Sequence, residues 1–144
     1  MKTEKLNNTN ATDFIAYCKK YAMEHDESNI PGDDFLPRDD EPAFLLRNDN
    51  NEVIGAASIM LHSEYVEAGK ARFRIFHCID KLTENYELLL KEIESRSKKV
   101  EFIYCYITEG KTETRDIWEQ LGFGIWRYSW VLTRNTIGFT PSAF

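Results

Sequence analysis

The side chains that could do chemistry in this sequence are its histidines, with the carboxylates and lysines near them. His77 stands in the run ARFRIFHCI, and an imidazole, which titrates near neutral pH, can take a proton from an amine. The commoner use of such a residue is structural, shielding a strand edge or filling the margin of a core. His62 and Glu64 are alternative bases just past an apolar run, weighed against an ordinary solvated loop. Asp33, Asp34, Asp39, Asp40 and Glu41 crowd one proline-rich segment, where they could draw a cationic amine or simply face water. Their spacing matches no calcium loop. Cys18, Cys78 and Cys105 are odd in number and far apart, with no CxxC and no paired histidine spacing. They read as reduced thiols, and neither a disulfide frame nor a metal site is expected.

The elements that must position these groups follow from composition and period. A chain of 144 residues, 42% hydrophobic, can bury a proper core as one domain spanning residues 1–144. Its net charge of -6 argues against nucleic acid, whose phosphates call for clustered Lys and Arg. The longest apolar run, Val53 to Leu61 with Gly55 and Ser58 inside it, is too short to span a bilayer, so no membrane is expected. The polar start MKTEKLNNTN is no signal peptide, which favours a cytoplasmic protein.

Along the chain, a short edge strand fits Thr3 to Leu6. From Thr12 to about Glu24, Phe14, Ile15, Cys18, Tyr21 and Ala22 recur at helical steps, with Asn10 or Thr12 as cap. Residues 25–42 hold three prolines and seven acids, a long loop with room for one helical turn near Asp34. Ala43 to Arg47 and Glu52 to Leu61 form a hairpin about Asn48-Asp49-Asn50-Asn51. Ala71 to Ile79 alternates, placing Arg72 and Arg74 on one face and Phe73 and Ile75 on the other. Tyr86, Leu89, Leu90 and Ile93 mark a helix from Asp80 or Thr83 to the basic run Arg96 to Lys99. Val100 to Ile107 reads as a largely buried strand.

The stretch from Ile107 to Arg134 is the most specific. Ile117, Trp118 and Leu121 give a short helix one apolar stripe, and Gly122 follows the last periodic residue, where a left-handed residue closes a helix. An aromatic, hairpin-like run starts at Phe123. Tyr104, Tyr106, Trp126, Tyr128 and Trp130 alternate, so rows of rings could line an aromatic pocket, pack in the core or build a subunit interface. A homodimer is one of the arrangements this leaves open.

This element order, with Ile117-Trp118-Glu119-Gln120-Leu121-Gly122-Phe123 as its sharpest local match, resembles the GNAT family of acyl-CoA-dependent N-acetyltransferases. The resemblance spans Thr12 to Arg134. It implies an α/β fold whose mixed, mostly antiparallel sheet is flanked by helices on both faces. It also implies a gap between the strands at Ala71 to Ile79 and Val100 to Ile107 in which acetyl-CoA lies. Main-chain groups of Phe76, His77 and Cys78 would pair with the pantetheine arm as an added strand does. The phosphate loop falls on Lys81 to Tyr86, where Lys81 keeps a positive charge while Glu84 and Tyr86 replace small residues. Lys111 stands where the family often has asparagine and could share the phosphates with Lys81. Trp118 stands where many members have a tyrosine that protonates the departing thiolate, which an indole cannot do.

These residues support two functions. The first is acyl-CoA-dependent N-acyltransfer to a small-molecule or peptide amine, with His77 or Glu64 as base. The second, favoured by the residues at Glu84, Tyr86 and Trp118, is a noncatalytic GNAT-like ligand-binding or interaction module.

Overall fold

The computed structural model describes residues 1–129. The elements run β1 (Lys2–Lys5), α1 (Ala11–Lys20), two single 3-10 turns (Ala22–Glu24 and Glu27–Asn29), β2 (Ala43–Arg47), β3 (Val53–Met60), α2 (Ser63–Glu67), β4 (Lys70–Cys78), α3 (Thr83–Arg96), β5 (Phe102–Tyr104) and α4 (Thr112–Gln120). Among the described residues five strands lie in sequence order in one sheet, antiparallel throughout except for the parallel pair β4 and β5.

Both faces are covered by helices, as the periodic stripes predict. α1 lays Phe14, Tyr17 and Cys18 on Leu45, Ala56 and Ile75. On the opposite face, Tyr86, Leu89 and Ile93 of α3 and Ile117 and Trp118 of α4 close over Phe44, Ala57, Phe73, Phe76 and Cys78. The β2–β3 turn is the asparagine turn expected, with Asn51 in the left-handed region at φ 64° and its N–H bonded to Asn48 at 2.9 Å. Gly122 closes α4 at φ 97°: the N–H of Phe123 reaches the carbonyl of Trp118 and that of Gly122 the carbonyl of Glu119, both at 3.0 Å. This pair of bonds is a Schellman cap.

Several expectations need correcting. α1 stops at Lys20, and Ala22–Glu24 continue only as a 3-10 turn. The helical turn in the long loop is Glu27–Asn29, whereas Asp34 lies in a tight turn closed by Phe35 N–H on Gly32. α2, carrying Glu64, replaces the expected loop; at five residues it is too short to show a period.

In β4 the register slips, since Ser58 pairs with Ile75 and Ile59 with Phe73. The extra residue puts Ile75 with α1's core, while Phe73 and Phe76 both face α3. β5 is three residues, and its Phe102 is 67% exposed, because the described residues leave it at the sheet's edge. Phe123 to Ser129 form no strand. Trp130 and the rest of the expected hairpin lie outside the described residues.

Candidate active site

The parallel pair at the centre of the site opens almost at once. β5 pairs with β4 at Lys70, Ala71 and Arg72, and from Phe73 onward β4 has no partner on that side among the described residues. The orientation of the open edge follows from one bond. Ile79 N–H donates to the Ile54 carbonyl at 2.8 Å, and the register places Ala56 opposite His77 and Ser58 opposite Ile75. In an antiparallel ladder such pairs alternate, so Ile75, His77 and Ile79 spend their main-chain groups on β3. Those of Phe76 and Cys78 turn toward the open side.

That edge is roofed. Phe76 is 2% exposed and Cys78 fully buried, and Ile103, Cys105 and Ile107 pack against the same cluster. Beneath it, Phe76 stacks on Trp118 and meets Tyr86 edge-on, with centroids 5.8 and 5.1 Å apart. The indole Nε1 of Trp118 is buried here with no acceptor among the described residues, and the amide Nδ2 of Asn85, near the start of α3, likewise has none.

At the C-terminal end of β4 a cleft of about 400 Å³ is lined by Glu24, Lys81 and residues 110–114, with Lys111 among them. Lys81 joins β4 to α3 in the left-handed region, φ 50°. No side chain caps α3 or α4, so both helices keep uncapped first-turn amides at this end. Tyr86 does not crowd the turn from Lys81 into α3. It is fully buried under the sheet, its hydroxyl 3.5 Å from the Cys78 carbonyl. Glu84 is exposed in the first turn of α3.

Behind the cleft lies His77, fully buried on the α1 face. Its Nδ1 is 2.7 Å from the Tyr17 hydroxyl, and its Nε2 is 2.8 Å from Lys81 Nζ and 3.1 Å from Glu24 Oε1. Tyr21 stacks on the ring with centroids 5.3 Å apart. Lys81 and Glu24 are themselves paired at 3.3 Å. Burial first, and then the charge of Lys81, lowers the His77 pKa to about 4, so the imidazole is neutral near pH 7. Burial works against the Glu24 carboxylate, but His77 when protonated and the hydrogen bond and charge of Lys81 outweigh it and hold its pKa below the ordinary value; with the imidazole neutral near pH 7, Lys81 is the partner that does so.

The ammonium of Lys81 can only donate, which makes Nε2 the acceptor and puts the imidazole proton on Nδ1. Nδ1–H then donates to Tyr17 Oη, and the Tyr17 hydroxyl donates onward to the Ile54 carbonyl at 3.3 Å.

The fold thus gathers Phe76, His77, Cys78, Lys81 and Lys111 at one end of the β4–β5 opening. Glu64 is not among them. It is exposed on α2, which packs by the Lys70 end of β4, roughly 20 Å from His77 at the rise of a strand. His62 is turned to Glu41, 3.3 Å from its carboxylate. Of the loop acids, Glu41 is 1% exposed and held by Arg74 through two bonds of 2.6 and 2.8 Å. Asp33 pairs with Lys19, and Asp26 is held by Arg72. Sequence reasoning missed Glu24, Tyr17 and Asn85. Tyr17 sits one position before Cys18 on the α1 stripe and was findable; nothing in the local pattern marks Glu24.

No family model matches the chain, and neither does any curated protein. Among solved structures it is similar to a ribosomal-protein-alanine N-acetyltransferase from Brucella melitensis biovar Abortus 2308. The TM-score is 0.63 at 15% identity, over 93% of this chain and 100% of that one. At that identity the likeness is one of fold: a GNAT-like α/β domain, mixed and mostly antiparallel, with helices on both faces. No helix among the described residues is long and apolar enough to cross a membrane.

Proposed function

We propose that this chain is an acyl-CoA-dependent N-acyltransferase, with acetyl-CoA as donor substrate and an amine of a small molecule or peptide as acceptor. The observation that carries the reading is the parallel β4–β5 pair, which parts after Arg72 and turns the main-chain groups of Phe76 and Cys78 to an edge with no partner strand among the described residues. An extended amide-bearing arm is the kind of ligand such an edge takes, by adding a strand. The residues present fit the donor. Trp118 Nε1 and Asn85 Nδ2 are buried donors without acceptors among the described residues, and Lys81 and Lys111 bring two cations to the cleft mouth.

In this reading the acceptor amine, once neutral, attacks the thioester carbonyl; the N–C bond forms as the C–S bond breaks. Lys81 and Lys111 bind phosphate, and Phe76 and Cys78 orient the arm. His77 stands behind Glu24 as the base, while exposed Glu64 would serve only an acceptor approaching from the Lys70 end. Trp118 offers the sulfur a hydrogen bond but no proton, so the proton that the attacking nitrogen sheds as the amide forms is relayed through water to the leaving thiolate.

A noncatalytic module remains the second reading, favoured by the roof of Ile103, Cys105 and Ile107 and by Glu24 already paired with Lys81. Acetyl-CoA is incubated with the protein and a panel of primary amines and peptides with free N-termini, with acyl addition read by mass spectrometry and thiol release by absorbance. Acceptor-dependent thiol release is expected. Binding of CoA with no transfer to any acceptor in the panel would favour the module.

A further inference from the structure

We propose that Lys81 is a donor-sensing latch on His77: in the free protein its ammonium occupies Nε2, and a phosphate entering the cleft draws it away and frees that nitrogen as base toward the acceptor amine. The inference rests on the acyltransferase reading and adds an order of events to it, donor before proton transfer.

Three observations carry it. The first is the position of Nζ, 2.8 Å from His77 Nε2 and 3.3 Å from Glu24 Oε1, on a side chain that also lines the cleft beside Lys111. The second is the hydrogen count. With Nδ1–H committed to Tyr17, the lone pair on Nε2 is the imidazole's one free acceptor, and Lys81 uses it. The third is the backbone. Lys81 adopts φ 50°, a left-handed backbone that a non-glycine residue enters only at a cost, and this conformation links β4 to α3 where the side chain reaches back onto His77.

The charges surrounding His77 set its protonation once Lys81 leaves. α1 contributes the neutral rings of Tyr17 and Tyr21; the turn after it contributes Glu24 and, with ring centroids 6.1 Å apart, His25. Lys81 is the cation within hydrogen-bond reach among the described residues. Its departure leaves Glu24 as the nearest charge, so the local field changes from opposing an imidazolium to favouring it. An acceptor ammonium docked at Glu24 can then pass one proton to Nε2, leaving a neutral amine and an imidazolium whose Nε2–H points at Glu24 Oε1, 3.1 Å away. Charge is conserved pair for pair, as lysine trades Glu24 for phosphate and Glu24 trades lysine for imidazolium.

The test tracks the His77 imidazole by NMR as pH is lowered, with and without saturating CoA, in the intact chain. Its three histidines are assigned with His25→Gln and His62→Gln. CoA is expected to raise the His77 pKa by about 1 or more. In Lys81→Met the pKa is expected to be raised already and to be unmoved by CoA. In Lys111→Met binding weakens, but the same rise appears at saturation. Should CoA bind, as read by calorimetry, while the wild-type His77 pKa stays where it was, the latch is wrong and the acyltransferase reading stands. Should CoA fail to bind at all, both fall. The wild-type comparison alone decides the matter if the Lys81 variant does not fold.

Discussion

The indole of Trp118 lies nearly parallel to the ring of Phe76, centroids 5.8 Å apart and planes 14° from parallel, while its Nε1 is buried without an acceptor among the described residues. The ring's packing and its polar atom therefore have separate consequences. Trp118→Phe keeps an aromatic stack and deletes the orphaned donor, so stability should hold or rise by about 1 kcal/mol. Trp118→Ala opens a cavity and should cost about 3–5 kcal/mol. Urea denaturation of both variants separates the two, and a Phe variant as damaged as the Ala variant would show that Nε1 is satisfied.

Acid should weaken the fold through His77. Its folded pKa of about 4 lies below the usual imidazole value, so the unfolded chain binds the proton first. The contribution is complete above the unfolded value near 6.5 and is lost as pH falls toward 4, on the order of 3 kcal/mol. Glu24, whose pKa is lowered, loses its own contribution in the same direction below the ordinary carboxylate range. Denaturation at about pH 7 and about pH 5 should show the loss in the wild type and a smaller one in His77→Gln; equal slopes would contradict it.

Arg74 is the counterion of Glu41, whose side chain is 1% exposed. Removing the arginine alone leaves a buried charge uncompensated, so Arg74→Met should cost about 3–5 kcal/mol, and Arg74→Met with Glu41→Met together should cost less. A double variant as unstable as the sum of the singles would mean that the pair is not coupled.

Gly122 has nothing within 4 Å of where a Cβ would stand, so its requirement is conformational. At φ 97° an alanine there should cost roughly 1 kcal/mol by straining the cap of α4, measurable as a lower denaturation midpoint. No loss would mean that the turn re-forms in another geometry.

The fold was legible where a period ran long enough to repeat. Tyr86, Leu89, Leu90 and Ile93 repeat over two turns, and Gly122 marked the end of α4 by standing just past its last periodic residue. The bulge in β4 was not legible, because Arg72 and Phe73 begin an alternation that the extra residue then reverses at Ile75, and pairing partners decide that. α2 offered five residues and no repeat. At the site, Lys81 and Lys111 could be named from a resemblance, but Glu24 comes to His77 from 53 residues away, a contact no local pattern encodes. Glu41 reads as one acid among many in a solvated loop until the fold brings Arg74 beside it.

Calorimetric titration with acetyl-CoA, and separately with free CoA, tests the central claim most directly, with the thermal midpoint followed alongside. Micromolar binding with a raised midpoint, weakened in Lys81→Met and Lys111→Met, is the predicted result. No heat and no shift at millimolar ligand would contradict the acyltransferase account and leave the open edge of β4 to some other partner.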